Sequence, residues 1–222
     1  MTGARPPAPI GVFGGTFDPI HLGHLRTAYE LRQALRLDEV RFVPAGDPPH
    51  RERPRVEARR RLELVRAATA DEPGFVVDDR EVRRAGPSYT VSTLGELRSE
   101  FPDTPICLIV GMDAFRGLPT WHRWQDLLEL AHVVVAPRPG WVAPSGGVLG
   151  ELVATHVATR IDELHAAVAG RILVQPVTQL EISSTELREL LASGGDPRYL
   201  VPDTVRELIR ATGCYSVSQP TR

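Results

Sequence analysis

The chain contains 222 residues, of which 26 are basic and 28 acidic, and its formal net charge is −2. This balance argues against nucleic acid as a partner, and no apolar stretch is long enough for a membrane span, so we expect a cytoplasmic protein. Cys107 and Cys214 are too few for a disulfide framework and have no metal-ligand spacing, which agrees with a reducing compartment. The length suits one α/β domain, residues 1–222, with a flexible tail at residues 1–8.

The pattern near the amino terminus changes from strand to helix within a few residues. Residues 9–13 predict a short buried strand, and apolar residues recur at helical spacing from Leu22 to Leu37. Gly14 and Gly15 let the backbone approach a ligand closely, and the first turn of a helix offers unpaired N–H groups at the positive end of its dipole. The junction is therefore predicted to bind an anion.

Two histidines begin this helix. His21 and His24 are three residues apart and therefore share one helix face. Their N–H groups could donate to phosphoryl oxygens, and a neighbouring triphosphate would raise their pKa values, so phosphate chemistry is the favoured interpretation. The alternatives are a metal-binding pair and two helix-capping histidines. A metal would need a third ligand, and because only Asp18 is close we predict no protein-bound metal.

The second predicted strand extends from Glu39 to Pro44 and ends in a loop, residues 45–51, that is rich in proline. Loops at the carboxyl ends of parallel strands form the ligand crevice of an open sheet, so His50 and Arg51 could reach a substrate phosphate. The alternative is a solvated basic turn.

The next helix, Val56 to Ala70, carries arginines 59–61 interleaved with glutamates, which predicts a solvated face with local ion pairs. Phe75 to Asp78 is the third predicted strand. Another helix follows, and Ser88 or Thr90 is expected to cap it. Because a helix start beside the crevice can also bind an anion, both residues are candidate substrate ligands as well.

The continuous apolar run Ile106 to Val110 is typical of a central parallel strand that is buried on both faces. Asp113 lies just beyond it, where a carboxylate could bind a nucleotide sugar. A further strand is predicted from His132 to Ala136. Residues 140–170 are interpreted as an insertion, containing a helix from residue 151 to residue 169, before a last strand at residues 171–177.

Residues 118–124 predict the start of a helix with Thr120 as its N-cap, and Trp124 and Leu128 continue its core-facing side. Trp121 would lie in the first turn and could offer its ring to a flat heterocycle. A flat aromatic ring that stacked there and carried a carboxylate would bring that carboxylate close to the free N–H groups of the helix start. The alternative is that Trp121 only packs beneath the loop.

A second candidate phosphate site lies near the carboxyl terminus. Ser184 and Thr185 at a helix start, with Arg188 one turn later, supply hydroxyls, backbone N–H groups and a guanidinium. Alone, the spacing from Ser183 to Glu186 is only a capping box. Together with the opening junction, it is interpreted as a clamp on the β and γ phosphates of a triphosphate. The helix is predicted to stop at glycines 194 and 195, and a last helix spans residues 202–211.

The residues at these sites favour a particular reaction. The P-loop pattern of many kinases is absent, as is the GxGxxG pattern of redox Rossmann enzymes. A nucleotide monophosphate is already an anion and needs no general base. Positioning and charge neutralisation would then suffice for its attack on the α-phosphorus of ATP, with Mg²⁺ brought by the triphosphate.

The stretch Gly14–His24, with its HxGH sequence, resembles the signature of the nucleotidyltransferase superfamily. Over nearly its full length the chain is most similar to the bacterial nicotinate-nucleotide adenylyltransferases, and six further segments carry this resemblance: Pro48–Arg51, Pro87–Thr90, Gly111–Asp113, Pro119–Trp121, Arg138–Gly140 and Ile182–Arg188. It implies adenylyl transfer from ATP to nicotinate mononucleotide, giving the deamido dinucleotide and pyrophosphate in NAD biosynthesis. The expected fold is a single Rossmann-like α/β domain, a doubly wound parallel sheet flanked by helices.

The resemblance also implies residue roles. His21 and His24 would be catalytic. ATP would be bound by Gly14, Gly15, Thr16, Phe17, Asp113, Ser184, Thr185 and Arg188. The nicotinate nucleotide would be bound by His50, Arg51, Ser88, Thr90, Trp121 and Arg138. The alternatives are a sister adenylyltransferase acting on phosphopantetheine or nicotinamide mononucleotide, and a non-catalytic nucleotide sensor. A homo-oligomer is compatible with the sequence.

Overall fold

Six parallel strands form the centre of the molecule, and the computed structural model describes residues 7–48, 53–137 and 144–216 of the chain. The strands are β1 (Ile10–Gly15), β2 (Val40–Pro44), β3 (Phe75–Val77), β4 (Ile106–Gly111), β5 (His132–Ala136) and β6 (Ile172–Val174). Their order in the sheet is β3-β2-β1-β4-β5-β6, and every neighbouring pair is parallel. The chain reverses its direction of winding between β1 and β4, so the predicted doubly wound α/β fold is confirmed.

Helices cover both faces of the sheet. They are α1 (Leu22–Ala34), α2 (Ala58–Thr69), α3 (Arg80–Arg83), α4 (Thr90–Glu100), α5 (Met112–Arg116), α6 (Leu127–Leu130), α7 (Gly147–His156), α8 (Asp162–His165), α9 (Ser184–Ala192) and α10 (Asp203–Thr212). In the part of the chain that the structure describes, no helix is both long and apolar enough to cross a membrane.

Two hydrophobic cores lie on opposite faces of the sheet. Alternate residues of β4 enter each of them: Cys107 and Ile109 pack with α1, α2, α9 and α10, whereas Leu108 and Val110 pack with α4 to α7. Successive side chains of a strand point to opposite faces, so a strand that is covered on both sides is apolar at every position. The continuous apolar run in the sequence is therefore explained by its central place in the sheet.

The connection from β5 to β6 differs from the predicted long helix over residues 151–169. Helix α7 ends at His156 because Val157 pairs with Ile172 and the N–H of Ala158 donates to the Ile172 carbonyl at 2.7 Å. A hydrogen bond to the strand thus replaces the next turn of helix, and β6 itself is shorter than the predicted strand at residues 171–177. The description of residues 140–170 as an insertion remains a prediction.

Candidate active site

The carboxyl ends of β1, β2 and β4 meet at one edge of the sheet, and the loop after β1 lies there. Phe17 in this loop has a positive φ of 49° and is buried, with its ring edge-on to Phe13 and to His24. Only the backbone of Phe17 is therefore available to a ligand. Gly14 borders open space: a Cβ atom added to this glycine would have no other atom within 4 Å, so its backbone is accessible.

The two histidines form a stacked pair. Their ring centroids are 3.7 Å apart with the planes tilted by 33°, and His24 Nδ1 accepts the backbone N–H of His21 at 3.3 Å. In the neutral form of His24 this bond leaves the ring proton on Nε2. The two histidines for which phosphate chemistry is predicted are thus in contact with each other.

His21 is only 6% exposed, and burial lowers its pKa from 6.5 to about 4. Its Nδ1 is buried without a hydrogen-bond partner among the described residues. A buried polar atom of this kind is costly to leave unpaired, and burial disfavours a charge on the ring. His21 is therefore neutral at pH 7 in the free protein and retains an unused hydrogen-bonding nitrogen.

The start of α1 offers fewer free donors than the sequence argument assumed. The N–H of Leu22 donates to the Leu200 carbonyl at 2.9 Å, and the N–H of His24 bonds to the His21 carbonyl at 3.0 Å. These groups are satisfied within the protein. Any anion at this junction would rely more on the imidazoles and the glycine backbone than on the helix start.

The second candidate phosphate site packs directly against the first. Ser184 Oγ donates to the Pro19 carbonyl at 3.0 Å, and Arg188 Nη1 donates to the Asp18 carbonyl at 2.8 Å. Arg188 Nη2 also donates to Thr185 Oγ1 at 3.1 Å. The expected meeting of the two segments is therefore observed, although they are far apart in sequence. Their clamping of a triphosphate remains a prediction.

Ser183 does cap α9, as the sequence suggested. Its Oγ accepts the N–H of Thr185 at 3.2 Å, so the bond goes to the second residue of the helix. The helix-capping function and a phosphate-binding function can coexist, because the cap uses only one of the N–H groups of the first turn.

Asp18 is tied to the protein rather than directed at a ligand. The carboxylate is 3% exposed, its Oδ1 accepts the Tyr215 hydroxyl at 2.8 Å, and its Oδ2 accepts the Arg55 N–H at 2.8 Å. Among residues 7–48, 53–137 and 144–216, no three His, Cys, Asp or Glu side chains are grouped so as to hold a metal ion. The Asp18 carboxylate therefore stabilises the conformation of the loop.

Arg61 contradicts the prediction that arginines 59–61 lie on a solvated face. Its side chain is 1% exposed, and the guanidinium donates to the carbonyl oxygens of Thr16, Ala45, Gly46 and Val56. One side chain thus joins the loop after β1 to the loop after β2. The sequence did not predict the burial of Arg61, because the alternating charges of this segment do not distinguish Arg61 from its two neighbours.

The predicted cap at Ser88 or Thr90 is wrong. The N-cap residue of α4 is Tyr89, without a side-chain bond, and Thr90 is the first helical residue. Ser88 Oγ instead accepts the N–H groups of Gly46 and Asp47 at 3.0 and 3.2 Å. Ser88 therefore fixes the loop after β2, whose residues His50 and Arg51 lie outside the described residues.

The prediction that a helix opens at residues 118–124 is also wrong. Two short 3-10 turns, Leu118–Thr120 and Trp124–Asp126, are separated by Arg123 with a φ of 50°. Thr120 Oγ1 donates to the Gly117 carbonyl and caps no helix. The 3-10 hydrogen bonding takes the place of the first α-helical turn.

This change affects Trp121. Its N–H donates to the Leu118 carbonyl at 2.9 Å, so it follows a turn and does not begin a helix. The half-buried ring packs against the core beneath it, as the alternative interpretation expected, and its neighbour His122 stacks on Tyr89 with 4.3 Å between ring centroids. Stacking of Trp121 on a nicotinate ring remains a prediction. The N–H of Trp121, one of the groups expected to be free for a ligand, is instead bonded within the turn.

Two further predicted ligands are Asp113 and Arg138. Asp113 is exposed in the first turn of α5, immediately after β4, so its carboxylate is at the predicted edge of the sheet but is not buried. Arg138 lies outside the described residues. The sequence missed Arg61 and Tyr215, since neither belongs to a motif.

Comparison with known proteins identifies the family of the chain. The model of the cytidylyltransferase-like family matches residues 12–190. A protein of Aeromonas hydrophila named probable nicotinate-nucleotide adenylyltransferase is 52% identical over 207 residues, which cover 93% of this chain and 97% of that protein. One of the same name from Halorhodospira halophila is also 52% identical, over 97% of this chain and 99% of its own.

Solved structures share the fold. The Plasmodium falciparum nicotinic acid mononucleotide adenylyltransferase complexed with NaAD has a TM-score of 0.71 at 16% identity, covering 94% of this chain and 97% of that one. A putative nicotinate-nucleotide adenylyltransferase from Vibrio parahaemolyticus has a TM-score of 0.63 at 19% identity, covering 94% and 95%. With the family match and the identity to the bacterial relatives, these findings mean that the chain belongs to the cytidylyltransferase-like family and, within it, to the nicotinate-nucleotide adenylyltransferases.

Proposed function

We propose that this protein transfers the adenylyl group of ATP to nicotinate mononucleotide, forming nicotinate adenine dinucleotide and pyrophosphate in the synthesis of NAD. The bacterial relatives that carry the matching name cover more than nine tenths of the chain. The single observation that carries the proposal is the stacked pair His21 and His24, beside a loop to which Ser184 and Arg188 are hydrogen-bonded. In this proposal the histidines meet the α-phosphate, and the adjoining segment from Ser184 to Arg188 meets the β and γ phosphates.

The step needs no general base. An oxygen of the mononucleotide phosphate forms a bond to the α-phosphorus of ATP, while the bond from that phosphorus to the bridging oxygen breaks and its electron pair leaves with pyrophosphate. The negative charge that moves onto the oxygens needs donors placed in advance. His21 and His24 would supply them, and the negative charge of the triphosphate would raise the low pKa of His21 on binding.

The remaining residues divide between the two substrates. Gly14, Gly15, Thr16, the backbone of Phe17, Asp113, Ser184, Thr185 and Arg188 would bind ATP. His50, Arg51, Ser88, Thr90, Trp121 and Arg138 would bind the nicotinate nucleotide. Mg²⁺ would arrive as part of MgATP, keeping mostly water and phosphate ligands. We assign the reaction to the cytoplasm, where ATP is available and free thiols such as those of Cys107 and Cys214 persist.

The test is a pyrophosphate-release assay with ATP, Mg²⁺ and one acceptor at a time. We expect turnover with nicotinate mononucleotide and a kcat/KM at least tenfold lower with nicotinamide mononucleotide, a difference of about 1.4 kcal/mol in transition-state stabilisation. Equal turnover of both would refute the preference. Turnover of phosphopantetheine alone would replace the proposal with the sister activity, and no turnover of any acceptor would favour a nucleotide sensor.

Substitution of His21 tests its role directly. We expect His21→Ala to lower kcat by about 10²–10³-fold with little change in KM, because a contact made mainly in the transition state is removed. His165→Gln is the matched control, since that imidazole bonds to the Leu35 carbonyl away from the site. A His21→Ala enzyme with wild-type kcat would exclude the role.

A further inference from the structure

The carboxyl-terminal turn of the described chain reaches the candidate active site. Tyr215 follows α10 and is 6% exposed, and its hydroxyl donates to Asp18 Oδ1 at 2.8 Å. Burial and the adjacent Asp18 carboxylate raise the pKa of Tyr215, so the hydroxyl keeps its proton and remains a donor. These two residues are 197 positions apart in the sequence.

Asp18 lies three residues before His21, in a loop whose side chains are packed on both sides of it. Phe17 and Ile20 are fully buried in the core that α1 and α10 share. The loop therefore has little freedom to absorb a change at Asp18 without moving its neighbours. A shift of the Asp18 carboxylate would be transmitted to the His21 backbone and ring.

The contacts of Asp18 come from distant parts of the chain. Arg55 donates its N–H to Oδ2, Arg188 donates to the main-chain oxygen, and Tyr215 completes the set at Oδ1. Tyr215 is the one side chain hydrogen-bonded to the carboxylate among the described residues, because Arg188 Nη1 is 3.9 Å from Oδ2. Loss of its hydroxyl would leave a buried anionic oxygen without a donor, and the carboxylate would turn towards another partner.

We propose that Tyr215 is a positioning residue for adenylyl transfer, which holds the Asp18 loop so that His21 keeps its place against His24. The inference depends on the proposed function, because the positioned imidazoles are those that would meet the α-phosphate. Because Tyr215 is buried, it would act through Asp18 and not through a contact with substrate. Its effect therefore falls on the rate of the chemical step more than on substrate binding.

The experiment compares Tyr215→Phe with Tyr199→Phe, which removes a hydroxyl from a tyrosine that is 81% exposed. We expect kcat of Tyr215→Phe to fall about tenfold at 25 °C, with KM for both substrates within twofold of wild type and circular dichroism showing a folded enzyme. Tyr199→Phe should match wild type. A purely structural Tyr215 would lower the melting temperature and leave kcat unchanged, which would overturn the proposal.

Two further measurements follow the same contact. In the Asp18→Ala background, the added Tyr215→Phe change should lower kcat by less than twofold, because its partner is already gone. The ¹⁵N shifts of the His21 ring should move in Tyr215→Phe and stay constant in Tyr199→Phe. Independent effects of the two substitutions on kcat would refute the coupling.

The outcomes remain separable. If Tyr215→Phe does not fold, Asp18→Ala must itself show the loss of kcat, and wild-type kcat there overturns the proposal. An inactive wild type that still shows the ring shifts in Tyr215→Phe would refute the proposed function and leave the contact in place. An active wild type with an unchanged Tyr215→Phe would refute only the positioning function.

Discussion

The burial of His21 makes the stability of the protein depend on pH. Its pKa is lowered from 6.5 to about 4 in the folded chain. One pKa unit corresponds to about 1.4 kcal/mol, so protonation of His21 destabilises the folded state by about 3 kcal/mol relative to the unfolded chain.

The sign follows from proton uptake. Between pH 6.5 and pH 4 the unfolded chain holds a proton on this imidazole and the folded chain does not, so unfolding becomes easier as the pH falls. The contribution of neutral, buried His21 to the unfolding free energy is complete above about pH 6.5. It decreases by up to about 1.4 kcal/mol per pH unit between pH 6.5 and pH 4, and it is lost below about pH 4.

Urea unfolding of the wild type and of His21→Gln at pH 7, 6, 5 and 4.5 measures this term. The neutral glutamine cannot titrate, so the difference in unfolding free energy between the two proteins should change by about 2–3 kcal/mol over the range. Burial also lowers the pKa of His132, but this histidine is present in both proteins and cancels in the difference. A difference that is flat with pH would refute the argument that burial sets the protonation state of His21.

Three other predictions concern the loops around the histidines. Arg61→Met should lower the unfolding free energy by about 3 kcal/mol in urea titrations, because four carbonyls lose a charged donor, whereas an unchanged midpoint would contradict this. Gly46→Ala should yield little folded protein by circular dichroism, since its Cβ would lie 2.2 Å from the Glu81 carbonyl oxygen. Ser88→Ala should raise KM for nicotinate mononucleotide about fivefold by loosening Gly46 and Asp47, with the exposed Ser99 of α4, changed to Ala, as the control; equal KM values would exclude this function.

Much of the candidate site could be predicted because many of its residues are close in sequence. The junction from Gly14 to His24 combines a strand, glycines and a helix start, and Ile106 to Val110 has the pattern of a strand covered on both faces. The meeting of Ser184 and Arg188 with the opening loop was expected from chemistry, since one triphosphate must be held at both ends.

The wrong predictions involve competition between local and distant partners. Ser88 had the spacing of a helix cap, but two N–H groups of the loop after β2 lie within reach and bind it instead. The helix expected after residue 151 stops at His156 because Val157 pairs with Ile172 of β6 and the N–H of Ala158 donates to the Ile172 carbonyl. Intrinsic helix propensity contributes only some tenths of a kcal/mol per residue, so tertiary hydrogen bonds of this kind override it.

The sequence by itself determined the strand pattern, the paired histidines and the family. Tertiary structure alone decided that Arg61 is buried across four carbonyls and that Tyr215 reaches Asp18. Periodicity and motif spacing report on neighbours within a few residues, whereas these contacts join segments 45 and 197 positions apart. Their partners are brought together only when the sheet and its two layers of helices have formed, which is why the environment of His21 is a property of the whole fold.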